Sequence, residues 1–225
     1  IAFNGKIYFA ASSAYFGQEL WTTDLAGNTA QMIDIYPGAP SGMKVDTQHN
    51  MVVFNNRLYF TARNSTNGYE LWSTDGTVAG TTQAFDLFSS NSGTNASSYS
   101  GPRWLTVCNG KLYMNFTNNG NYELFVTDGT LAGTSMVKRI NQTVSSDPWY
   151  LTCMNNSLYF TADDSYYWQT YSGTVGRELY KTDGTSAGTV LVSDINTGAM
   201  TLGYAQTGTN SANPQYLTVV NGRLF

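Results

Sequence analysis

The chain has 225 residues, 41% hydrophobic and 14% aromatic, which is ample for a buried core, yet only 12% are charged and the net charge is −4. This balance excludes the basic stripe with which nucleic-acid binders neutralise phosphates, and no apolar run reaches the ~18–20 residues that span a bilayer as a helix. Polarity is carried by Asn, Thr, Ser, Gly and Tyr in place of Lys and Glu, a composition that leans towards secretion, and Ile1 opens directly on a strand-like segment, as expected of a processed or cut chain.

In chain order, the first element is IAFNGKIYF (1–9), with Asn-Gly between two apolar runs. A type I′ turn needs φ > 0 at both central residues, so this dipeptide predicts a two-residue hairpin. Next comes ELWTTDLAGNT (19–29), where Glu-Leu-aromatic-x-Thr predicts a third strand and the Asp-containing turn leads to a fourth. The order then repeats: VVFNNRLYF (52–60) with ELWSTDGTVAGT (70–81), LTVCNGKLYM (105–114) with ELFVTDGTLAGT (123–134), LTCMNNSLYF (151–160) with ELYKTDGTSAGT (178–189). LTVVNGRLF (217–225) closes the sequence.

No run at helical period stands out between these elements. Four antiparallel strands per repeat of about 50 residues is the signature of a propeller blade. The expected fold is all-β, a β-propeller-like array of four-stranded antiparallel blades: four complete units (1–50, 51–103, 104–148, 149–214) and the first hairpin of a fifth (215–225).

The ELWxTDGTxAGT element with its LTVxNGxLYF partner resembles the ELWxxDGT repeat family, found in tandem in large secreted or surface proteins of bacteria. The resemblance covers essentially the whole chain. The first copy departs from it by lacking the Gly-Thr, and Phe125 and Tyr180 stand where other copies have Trp. It implies no catalytic residues.

Repetition shapes the reading of each candidate residue. Asp24, Asp75, Asp128 and Asp183 offer one carboxylate per turn without the D-x-D-x-D spacing of a calcium loop, so they read as Asx turns. Glu19, Glu70, Glu123 and Glu178 are all the glutamates of the chain and share one strand face with Trp21, Trp72, Phe125 and Tyr180. A carboxylate on that face is expected to tie blades together through backbone or hydroxyl hydrogen bonds. The lone His49 has no nucleophile motif beside it, and no Cys/His cluster suggests a metal.

Cys108 and Cys153 occupy the same strand of consecutive blades, displaced by one position and therefore on opposite faces, which leaves open a disulfide across the blade gap or two buried thiols. Sequons at Asn64, Asn95, Asn115, Asn141 and Asn155 are candidates for glycosylation, although their number is what chance gives.

In an antiparallel blade the tight Asn-Gly and Asp-Gly-Thr turns share one end, and the long insertions fall on the other. The largest, DDSYYWQTYSGTVGR (163–177), carries Tyr166, Tyr167, Trp168 and Tyr171, amphipathic aromatics able to stack on a sugar or anchor a protein. The plainer alternative is that they fold back over the neighbouring blade. The insertions 89–103 and 196–214 read as polar, solvated or glycan-bearing loops.

With the array expected to continue past Phe225, the leading expectation is an extracellular or cell-surface, non-enzymatic protein of structural or adhesive role, a segment of a longer array or fibre that associates with itself. The alternative is a carbohydrate- or protein-binding propeller module using the long-loop face. Neither reading involves a cofactor, nucleic acid or a membrane span.

Overall fold

Five dipeptides turn the expected hairpins, and in each both residues have positive φ: Asn4-Gly5 (46° and 72°), Asn55-Asn56 (46° and 54°), Asn109-Gly110 (48° and 70°), Asn155-Asn156 (50° and 61°) and Asn221-Gly222 (50° and 73°). Asn tolerates this region because its short polar side chain bonds locally. The computed structural model describes residues 1–43, 51–87, 101–118, 120–165, 175–197, 199–202, 206–209 and 211–225.

The first blade consists of β1 (Ala2–Phe3), β2 (Lys6–Ser12), β3 (Gln18–Thr23) and β4 (Thr29–Ile33). The second has β5 (Met51–Phe54), β6 (Arg57–Ala62), β7 (Glu70–Thr74) and β8 (Thr82–Gln83), and the third β9 (Arg103–Cys108), β10 (Lys111–Asn118), β11 (Asn121–Thr127) and β12 (Ser135–Lys138). The fourth has β13 (Trp149–Met154), β14 (Ser157–Asp163), β15 (Arg177–Thr182) and β16 (Val190–Ser193). Each is a four-stranded sheet in sequential order. A hairpin of β17 (Ala199–Leu202) and β18 (Gln206–Thr209) follows, then β19 (Val219–Val220) paired with β20 (Arg223–Leu224). The fold is thus all-β and propeller-like. The β17–β18 pair differs from the plain loop expected for 196–214: two short extended runs pair antiparallel and satisfy each other's backbone.

The chain divides into two compact bodies, Ile1–Val107 with Thr127–Thr134, and Cys108–Val126 with Ser135–Phe225. In the first, the core lies between successive sheets: Phe3, Tyr8 and Leu20 of the first blade pack with Leu58, Phe60 and Trp72 of the second. In the second body Phe116 meets Phe125 edge-on at 5.7 Å and Phe160 stacks on Tyr180, its cross-strand partner, at 6.0 Å. Burying each such side chain contributes roughly 1.5–3 kcal/mol.

The Asp-Gly-Thr turn owes its sequence to a closed hydrogen-bond circuit. Asp128 Oδ1 accepts from Thr130 N (2.9 Å) and Thr130 Oγ1 (2.7 Å), and Thr130 Oγ1 accepts from Gly133 N (3.0 Å). Thr127 Oγ1 accepts from Gly129 N at 2.9 Å and from the Thr134 hydroxyl at 2.7 Å. Asp75 and Asp183 head the same circuit in their blades. Asp24 closes the variant turn on Asn28 instead, through its N–H (2.9 Å) and Nδ2 (2.8 Å). These bonds hold the carboxyls of Asp24, Asp75 and Asp183 below their ordinary range.

Two glycines in each turn have separate reasons. A Cβ on Gly80, Gly133 or Gly188 would overlap the Asp carboxylate of its own turn. Gly76, Gly129 and Gly184 have φ of 98°, 100° and 94°, and a Cβ there would stand 3.0, 2.9 and 2.5 Å from the hydroxyls of Tyr8, Tyr59 and Tyr113 in the preceding blade. The hairpin asparagine adds a tie: Asn4 Nδ2 donates to Asp75 O at 3.3 Å, and Asn55 Nδ2 to Asp128 O at 3.0 Å.

At the other end of the blade, the motif glutamates are fully buried, and Glu19 and Glu178 bind the segment that leaves strand four. Glu19 accepts from Ile35 N (2.9 Å) and Gly42 N (2.7 Å), and Glu178 from Ile195 N (3.2 Å) and Ala212 N (2.8 Å). The neighbouring backbone bonds Met43 N to Gln18 O and Arg63 N to Gly42 O run that segment between the first two blades. Glu123 lies 3.5 Å from Arg139 Nε. As at Glu123, neither oxygen of Glu70 closes a hydrogen bond among the described residues. Burial, then the nearby Asp86, push its carboxyl from 4.5 up to about 8 against the weaker pull of the Leu87 N–H.

Cys108 ends β9 and Cys153 lies in β13, and the two are bonded with their Cα atoms 5.3 Å apart. The closed loop, with a sequence separation of 45, restricts the unfolded chain by about 4 kcal/mol in the loop-entropy account.

Gly133→Ala should destabilise the protein by about 1–3 kcal/mol in denaturant melts, the usual range for an overpacked site. Asp128→Ala in the same chain should recover part of that loss, and strict additivity of the two changes would contradict the account. Glu70 gives a pH signature. Its folded chain keeps a proton that the unfolded chain releases above about 4.5, so stability should fall as pH rises from there through about 8. Glu70→Gln should flatten that slope, and an unchanged slope would show that Glu70 is not its source.

Candidate functional site

The long-loop end of the fourth blade collects polar and aromatic groups. Tyr166, Tyr167, Trp168 and Tyr171 lie outside the described residues, as do His49 and Asn95. The base from which the aromatic insertion springs is described, and it is tightly built. Asp164 Oδ1 accepts from Val175 N (2.9 Å) and Gly176 N (2.8 Å), which joins the two ends of the insertion. Burial raises the Asp164 carboxyl, and these two N–H groups oppose it. Asp163 Oδ1 holds Ser165 through its N–H and hydroxyl, and Asn141 Nδ2 donates to Ser165 O at 2.7 Å.

That base stands on the rim of a cleft of about 360 Å³ lined by Lys138, Arg139, Gln142, Asp164, Tyr180 and Thr189, with Ile140, Val190 and Leu191 as its apolar wall. Lys138 to Gln142 leave β12 for the fourth blade, while Tyr180 comes from β15 and Val190 with Leu191 from β16. Lys138 Nζ donates to Thr189 O at 2.8 Å, so the ammonium is held across the cleft with further donors to spare. The Arg139 side chain is 38% exposed, whereas Glu123 behind it is 1% exposed. Tyr180 is buried, and burial raises its hydroxyl pKa. The cleft offers cationic donors, an amide, a half-buried carboxyl and an apolar wall, a set suited to a polar ligand of modest size.

A second constellation at this end is closed on itself. The Arg177 guanidinium lies over the Trp149 ring at 4.6 Å, Trp149 Nε1 donates to Asp147 Oδ1 at 2.9 Å, and Arg177 Nη1 donates to Asp147 O at 2.8 Å. It braces the entry to β13 and leaves little for a ligand. It also belongs to a repeat that sequence reading missed: Gly101-Pro102-Arg103-Trp104-Leu105-Thr106, Asp147-Pro148-Trp149-Tyr150-Leu151-Thr152 and Asn213-Pro214-Gln215-Tyr216-Leu217-Thr218. Trp104, Tyr150 and Tyr216 have φ of 57°, 56° and 56°, costly for bulky residues. The threonine hydroxyl two residues on donates to each aromatic's carbonyl at 2.9, 3.0 and 2.9 Å. The Pro-x-aromatic-Leu-Thr spacing was the available signal.

The sequons divide. Asn115 is fully buried with Nδ2 bonded to Pro148 O at 2.8 Å, and Asn141 is 1% exposed with Nδ2 on Ser165 O. Neither amide nitrogen can carry a glycan in the folded chain, which corrects the expectation for both. Asn155 is exposed in its hairpin turn, and Asn64 is half-buried and caps a turn through Oδ1 to Thr66 N and Asn67 N. Among the described residues, no group of three or more His, Cys, Asp or Glu could hold a metal ion, and no helix is long and apolar enough to cross a membrane.

No family model and no curated protein matches this chain. Among solved structures it is similar to a novel alpha-L-arabinofuranosidase (CtGH43) from Clostridium thermocellum ATCC 27405, at 16% identity and a TM-score of 0.39, over 85% of this chain and 69% of that one. The expectation of a structural or adhesive segment of a fibre is corrected accordingly and set aside for the binding alternative.

Proposed function

We propose that the chain is an extracellular carbohydrate-binding propeller module of the ELWxxDGT repeat family, taking its ligand at the long-loop end of the fourth blade. One observation carries this reading: the aromatic insertion 163–177 is clamped by Asp164 at the rim of the cleft that Asp164 itself lines. Stacking aromatics and a polar cleft are the two components of sugar recognition, since a pyranose presents an apolar face and a rim of hydroxyls. At about 360 Å³ the cleft falls within the ~300–1,000 Å³ of small-molecule sites.

The reading is binding and not hydrolysis. Glycosidases commonly use two carboxyls about 5–9.5 Å apart across the scissile bond. Asp164 is the carboxylate of this lining, and its Oδ1 is engaged by two backbone N–H groups. A disulfide between Cys108 and Cys153 supports an oxidising compartment.

The test is a glycan array followed by calorimetry on the best binder. Trp168→Ala and Tyr167→Ala should each lower affinity at least tenfold, about 1.4 kcal/mol, with the melting temperature unchanged. An array without any retained glycan, or equal affinities in both variants, would refute the proposal.

A further inference from the structure

We propose that the saccharide taken by this cleft is anionic, with a carboxylate or sulfate held by Lys138 and Arg139. The inference rests on the binding reading above and names its ligand class. Lys138 and Arg139 are consecutive at the end of β12, and both line the cleft. The chain as a whole carries a net charge of −4, so two adjacent cations here run against the general balance.

Neither cation is used up by its protein partner. The Lys138 ammonium has three donors and gives one to Thr189 O, a neutral carbonyl, at 2.8 Å. That bond fixes the position of the charge without neutralising it. The Arg139 guanidinium has five N–H donors, and only its Nε edge approaches Glu123, at 3.5 Å, too long for a strong charge-assisted bond. Glu123 is buried, and desolvation raises its carboxyl, which weakens its hold on a partly exposed arginine.

The carboxyl of the lining is engaged by the chain itself. Asp164 accepts two backbone N–H bonds on one oxygen. Tyr180 remains a neutral phenol. An incoming oxyanion thus meets a pre-positioned ammonium and a partly exposed guanidinium, the pair that suits a planar carboxylate or a sulfate.

The experiment compares matched pairs by calorimetry at low salt: polygalacturonate against its methyl-esterified form, and dextran sulfate against dextran. At least one acidic member should bind tenfold or more tighter than its neutral partner, and that advantage should shrink as salt rises. Which pair discriminates tells carboxylate from sulfate. Lys138→Gln with Arg139→Gln should remove the advantage while leaving affinity for the neutral form, and Lys138→Arg should retain most of it. Equal affinities within both pairs, or an acidic preference that survives the double variant, would overturn the inference and leave the carbohydrate reading standing. Failure of all four polymers, together with an empty glycan array, would overturn both. Melting curves of the variants exclude unfolding as the cause of a loss.

Discussion

Everything else in this protein hangs on a turn that is complete in itself. The Asp carboxylate gathers a threonine N–H and hydroxyl, that hydroxyl takes a glycine N–H, and the preceding threonine closes the circuit. A turn so constructed is rigid before it meets anything, and it then presents a side-chain-free glycine to the tyrosine hydroxyl of the preceding blade. The same dozen residues therefore end strand three, begin strand four and seat one sheet against the next. This is why the motif tolerates Phe125 or Tyr180 in place of Trp but keeps Asp, Gly and Thr at Asp128, Gly133 and Thr134.

The opposite end of each blade buries one carboxylate and is more varied. Glu19 and Glu178 bind backbone N–H groups of the departing segment, Glu123 has an arginine beside it, and Glu70 is left with a raised carboxyl. A single anchor tolerates insertions of any length beyond it. The long connections accumulate there for this reason, and the polar cleft of the fourth blade is one consequence. Strand one follows a third rule, with an aromatic at positive φ as the second residue of β9 and β13 and ahead of β19 and, at one junction, a disulfide where other blades bury Phe3 or Phe54.

The fold was legible because its signals are local. Asn-Gly and Asn-Asn fix turns, alternation fixes faces, and repetition tells one strand order from another. The role of Asp75 and its equivalents could be read from Asx-turn chemistry alone. What escaped depends on distant chain. The positive φ of Trp104 or Tyr150 follows a proline two residues earlier, and at Tyr150 it falls where the β13–β14 register shifts, so its sequence signal is the Pro-x-aromatic-Leu-Thr spacing and not any one residue type. Burial of Asn115 and Asn141 arises when neighbouring connections fold over them, so a sequon pattern says nothing of it. The cleft combines side chains from 138–142, 164, 180 and 189–191, separated by up to about 50 positions, and only the sheet geometry brings them together. Aromatic residues drew attention to the insertion whose base borders the cleft, whereas the cations beside it carried no motif.

On the binding proposal, a scaffold repeated four times and a cleft in the fourth blade divide the labour in this chain. The motif residues are spent on turns and ties, and the proposal leaves recognition to what varies between blades. The most direct test of that division is a crystal structure grown with an oligogalacturonate. The account predicts density in the cleft, with an oxyanion within hydrogen-bond distance of Lys138 and Arg139 and a sugar face against the 163–177 aromatics. A ligand lodged instead on the Asp-Gly-Thr turns would contradict it, because the motif would then be the binding site and not its frame.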